Sequence, residues 1–162
     1  MANTTFSGPV RSENGFKSIS KDATSGAITE ITTYGGAPVS LSDGNVTLTN
    51  ATHSGRILLV PDGGQDNTYT LPAPVAGSIF KFVYAGGAAD ATDAIIVTPG
   101  NTNFYIGGVT FLDTDGNEVS SVFSDGNSNS SIQLNVPAGF EITIIGIDTT
   151  NYQIFGNVTS TT

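Results

Sequence analysis

The chain has 162 residues, with 14 acidic and 5 basic side chains, a formal charge of −9, one His and no Cys or Trp. That length suits one domain, and so few cations exclude a nucleic-acid-binding body or a polybasic hold on an anionic membrane. Without Cys there is neither a disulfide framework nor a thiolate metal site, and with 12% charged against 38% hydrophobic residues the polar character rests on Ser, Thr, Asn and Gly, which disfavours long solvated helices.

The first stretch differs from the rest. Residues 1–22 hold Arg11, Lys17 and Lys21 against Glu13 and Asp22, a local charge of +1, which leaves Arg56 and Lys81 against twelve acids, or −10, on residues 23–162. Phe6, Val10, Phe16 and Ile19 are separated by Gly8-Pro9, Glu13-Asn14-Gly15 and several Ser, so residues 1–26 read as an extended N-terminal arm and 27–162 as the folded domain. The opening Met1–Gly8 has no basic and then apolar pattern, so no secretory signal is expected. No apolar run approaches the ~20 residues of a membrane helix.

From Ala27 onward, alternating or short apolar runs are bounded by turn residues. The predicted strands, in order, are 28–33, 39–41, 45–49, 56–60, 68–71, 78–84, 94–98, 103–106, 109–112, 118–123, 131–136, 141–147 and 152–158. In Ile79–Tyr84, the side chains of Phe80, Phe82 and Tyr84 share one face, the pattern of a sheet packed on another sheet. Asp43-Gly44, Asp115-Gly116 and Asp125-Gly126 are expected hairpin tips, because a type I′ turn needs φ > 0 at both central residues. Gly107-Gly108 is read as a loop between two strands. No repeat of fixed period is visible, which argues against a solenoid. The expected fold is all-β, an antiparallel β-sandwich, jelly-roll-like, with the extended N-terminal arm.

Reactive groups are sparse. The single His53 has no Gly-x-Ser-x-Gly elbow with it, and Glu30, Glu118 and Glu141 fall at outward positions of alternating strands, which explains them without a glycosidase pair. The segment Asp113-Thr114-Asp115-Gly116-Asn117-Glu118 resembles the opening of a calcium loop, but its Gly stands fourth and its twelfth residue is Ser124. A surface Ca²⁺ bridging two neighbouring turns through Asp113, Asp115 and Asp125 is the one metal site the sequence offers, against a default of plain turn chemistry. No other cofactor and no catalytic residue is expected.

The opening Thr5-Phe6-Ser7-Gly8-Pro9-Val10-Arg11-Ser12-Glu13-Asn14-Gly15-Phe16 resembles the N-termini of virion structural proteins of tailed phages, marine ones in particular. Tyr69-Thr70-Leu71-Pro72-Ala73-Pro74, Gly77–Val83, Ile95–Pro99, Val136–Phe140 and Tyr152–Gly156 resemble the sandwich core of phage head decoration, or capsid cement, proteins. The resemblance implies a non-enzymatic virion protein on the outer surface of the capsid, made in the host cytoplasm, with the major capsid protein as partner and itself as a homo-oligomer, a trimer. In that picture the arm contacts the capsid through Phe6, Pro9, Val10, Arg11, Phe16, Lys17 and Lys21, and neither nucleic acid nor membrane is a partner. The alternative is a fibre or head-fibre module that binds glycans or a receptor, with Tyr34, Tyr69, Tyr105 and Tyr152 as stacking candidates.

Overall fold

A computed structural model describes residues 17–32, 37–87, 90–100 and 102–160. The described chain is nearly all β. Strands β1 (Lys17–Lys21) and β2 (Ile28–Thr32) pair as a hairpin of their own. They are followed by β3 (Val39–Ser40), β4 (Val46–Thr47), a single-turn helix α1 (Asn50–His53), β5 (Arg56–Val60), β6 (Asn67–Thr70), β7 (Ile79–Tyr84) and β8 (Ala94–Val97). The chain ends with β9 (Phe104–Asp113), β10 (Glu118–Asp125), β11 (Ser131–Leu134), β12 (Pro137–Gly146) and β13 (Asn151–Ser160).

Two sheets form the sandwich. One has seven strands in the order β10-β9-β13-β12-β7-β5-β3, the other four in the order β11-β8-β6-β4. Their facing rows carry the core: Leu58, Val60, Phe80, Phe82, Ile142, Ile144, Tyr152 and Ile154 from the large sheet meet Tyr69, Ile96 and Leu134 from the small one, all buried. Each such side chain contributes about 1.5–3 kcal/mol of burial. Phe80 and Phe82 point inward as their spacing predicts, with Ile79 outward.

The expected all-β sandwich holds, but its pairing is not wholly antiparallel. From β3 to β8 consecutive strands alternate between the two sheets, so neighbours within a sheet run the same way: β3 with β5, β5 with β7, β4 with β6 and β6 with β8. Strand β13 is also parallel to β9. A jelly roll is antiparallel throughout, so this topology departs from that expectation. The winding resembles three turns of a flattened solenoid that begin at Val39, Arg56 and Ile79. Those starts are unequally spaced, which hides the winding from any search for a fixed period.

The same alternation corrects the turn assignments. Asp115-Gly116 does close a hairpin, between β9 and β10. Asp43-Gly44 and Asp125-Gly126 instead carry the chain from one sheet to the other, with positive φ at Gly44 and Gly126. Gly107-Gly108 is no loop: β9 runs through both residues in unbroken register with β10 and β13. Of the expected arm, residues 17–26 form strand β1 and a turn capped by Asp22, whose carboxylate accepts from the backbone N–H of Thr24 and Ser25. The boundary drawn after residue 26 therefore falls inside a hairpin.

Candidate interaction surface

The large sheet is wider than the small one, and its surplus is the β9–β10 ribbon. The ribbon's tip is fixed locally: the Asp113 carboxylate accepts from Asp115 N–H at 2.9 Å and Gly116 N–H at 3.1 Å, and Asn117 takes φ 52°. Thr114 binds the Ser160 carbonyl through its N–H and its hydroxyl, which ties the tip to the end of β13. Register then sets the ribbon's two faces. Val122 lies opposite Val109 on the inner side and Phe123 opposite Gly108 on the outer side. Both faces of β10 stay exposed, Phe123 at 77% on the outer one and Val122 at 58% on the inner one.

On the inner side, the gap between β10 and the edge of the small sheet forms two adjoining clefts of about 220 and 250 Å³ that share Val109, Val122 and Ile132. Polar groups at their margins are already engaged. The Ser160 hydroxyl donates to the Asn135 carbonyl at 2.6 Å, and the Ser124 hydroxyl donates to the Tyr105 carbonyl. A cleft of this make-up suits an apolar side chain rather than a polar substrate.

On the outer side, the register of five strand pairs lines up Phe123, Gly108, Phe155, Thr143, Lys81 and Ile57 in one row across the sheet. Phe155 is 47% exposed. Lys81 Nζ stands 2.7 Å from Glu141 Oε1, a half-exposed pair worth at most about 1 kcal/mol.

The sequence-predicted residues are scattered. Phe6, Pro9, Val10, Arg11 and Phe16 lie outside the described residues, while Lys17 and Lys21 occupy the two ends of β1. Asp113 and Asp115 sit at one end of β10 and Asp125 at the other, about 23 Å of strand away. One ion does not bridge them, and Asp125 instead caps its own turn by accepting from Asn127 N–H. Glu118 belongs to the inner face of the large sheet and Glu141 to its outer face, so the two do not converge as a glycosidase pair does. His53 closes the α1 turn, its Nδ1 accepting from Thr49 N–H at 3.0 Å; burial and then nearby Arg56 hold its pKa below the usual value.

The stacking candidates are also accounted for. Tyr34 lies outside the described residues, and Tyr69, Tyr105 and Tyr152 are buried in the core. Burial raises all three phenols, Tyr69 to about 12. None of these three rings offers a face to a sugar.

What sequence reasoning missed is the exposed apolar surface of β10 and the sheet beside it. The available signal was Val122-Phe123, two consecutive apolar residues in a strand whose faces alternate, so that one of them must point away from the core. No protein-family model matches the chain, and comparison with curated proteins and with solved structures gives no match.

Proposed function

We propose that this is a non-enzymatic virion structural protein, a decoration or cement protein that binds the outer surface of a tailed-phage head and reinforces the lattice of the major capsid protein. The observation that carries the reading is the β9–β10 ribbon, which presents valine and phenylalanine on both faces above apolar clefts. Such a surface serves contact with protein, while His53 is engaged within its own helical turn and Glu118 and Glu141 lie on opposite faces of the sheet. The residue pattern of the chain resembles that of head decoration proteins in its core segments and its opening.

The charge distribution supplies the second support. A body of −10 stays soluble and apart from nucleic acid, while the N-terminal segment with Arg11, Lys17 and Lys21 carries the opposite sign. Each subunit then bridges capsid subunits by weak contacts that multivalency around the shell makes strong. The test mixes purified undecorated heads with the full chain and with a variant lacking residues 2–16. The full chain binds and raises the temperature at which heads rupture, whereas the shortened chain keeps its circular dichroism spectrum and loses binding. Failure of the full chain to bind heads would overturn the reading.

A further inference from the structure

Beyond capsid attachment, the outer face of the seven-stranded sheet carries an inference of its own. Six large apolar side chains that remain exposed project from it: Phe123, Val119, Leu112, Phe155, Ile79 and Ile57. Among the described residues nothing packs over them. Exposed apolar patches of this extent mark interfaces. We propose that a second copy of this chain covers this face, seated on the row Phe123–Gly108–Phe155.

Three observations select a second copy. The first is extent: strands β5, β7, β12, β13, β9 and β10 span five strand spacings, about 24 Å, and strands near 25 Å long give a face of roughly 600–800 Å², the size one partner contributes to a standard interface.

The second is charge. Two chains of −9 repel, so they associate where carboxylates are scarce. Among the described outward strand positions of this face stand Lys81, paired with Glu141, and one more acid, Asp125, at the corner. Lys81 and Glu141 neutralise each other, so among those positions only Asp125 at the corner is uncompensated, and a second copy meets little like charge across the face.

The third is shape. Gly108 has no side chain, and the ring of Phe123 leans over it so closely that a Cβ there would lie 2.9 Å from Phe123 Cδ1. The Phe123 ring therefore lies across Gly108 toward Phe155, and the row is a low apolar strip on which the flat outer face of a second copy can rest.

The proposal stands or falls apart from capsid binding, because its test uses the isolated full chain. Sedimentation equilibrium at tens of micromolar protein should show a self-associated species. Phe123→Glu with Phe155→Glu should weaken association by about 100-fold or more, since two central aromatic anchors are lost, with an unchanged circular dichroism spectrum. Val119→Ser with Phe123→Ser is the milder pair, and it decides the matter should the charged pair fail to fold. A monomeric wild-type chain, or full association in the folded variants, overturns the proposal. So does association that disappears when residues 2–16 are removed, because the N-terminal segment would then be the interface.

Discussion

The Tyr105 hydroxyl donates to the Ile96 carbonyl at 3.1 Å, a buried hydrogen bond that joins the seven-stranded sheet to the four-stranded one. Tyr105→Phe keeps the ring and removes the donor, which leaves the Ile96 carbonyl one partner short. The expected cost is about 1–2 kcal/mol, or a melting temperature lower by about 2–8 °C for a chain of this size. Thermal and urea unfolding monitored by circular dichroism check it. An unchanged midpoint would mean that this bond adds nothing to the joining of the sheets.

Gly108 allows β10 to approach β9. A Cβ at this position would fall on the Val122 carbonyl oxygen, so Gly108→Ala forces β10 outward at a cost of about 1–3 kcal/mol. Amide hydrogen exchange should quicken along Glu118–Asp125 while Ile79–Tyr84 stays protected. Gly100→Ala is the control: open space surrounds that position, and the stability change stays within about 0.5 kcal/mol.

The Asp93 carboxylate supports a strained residue. It accepts from Val136 N–H at 3.0 Å and Gln133 Nε2 at 2.6 Å, while Val136, a β-branched residue, holds φ at 40°. Asp93→Ala leaves the Val136 N–H without that partner and costs about 1–2 kcal/mol. Val136→Gly relieves the backbone and stabilises by about 0.5–1 kcal/mol. Urea midpoints of the two variants should move in opposite directions.

His53 makes stability depend on pH. Burial and Arg56 hold its folded pKa below the ordinary 6.5, so the neutral ring belongs to the fold. The unfolded chain takes up the proton first as pH falls. The contribution is therefore full above pH 6.5 and is lost as pH drops below it toward the folded pKa. Unfolding midpoints at pH 7.5 and 5.5 should differ more for the wild type than for His53→Gln.

How far the sequence revealed the fold depends on where each signal lies. Strand β5 was legible to the residue, and β7, β8 and β13 to within two residues of their ends, because their apolar runs are bounded by Gly, Pro or Asn and sit in the core. The alternation of strands between sheets was not legible, because Asp-Gly promotes a tight reversal in either setting and only tertiary packing decides whether a hairpin or a sheet crossing results. Strand β1, Lys17-Ser18-Ile19-Ser20-Lys21, has one apolar residue and took its order from pairing with β2 rather than from burial. The β9 strand was split in the reading because Gly107-Gly108 imitates a loop, whereas the missing side chains serve close strand approach. The interaction surface was the least legible part, since a sequence does not report that the large sheet outruns the small one.

The central claim is location on a phage head, and electron cryomicroscopy of the virion tests it most directly. The account predicts density for the two-sheet body on the outer surface of the head, at positions repeated with the capsid lattice and in contact with the major capsid protein. Density for the body in the tail or in a fibre, or heads bare of it in virions that contain the protein, would contradict the account.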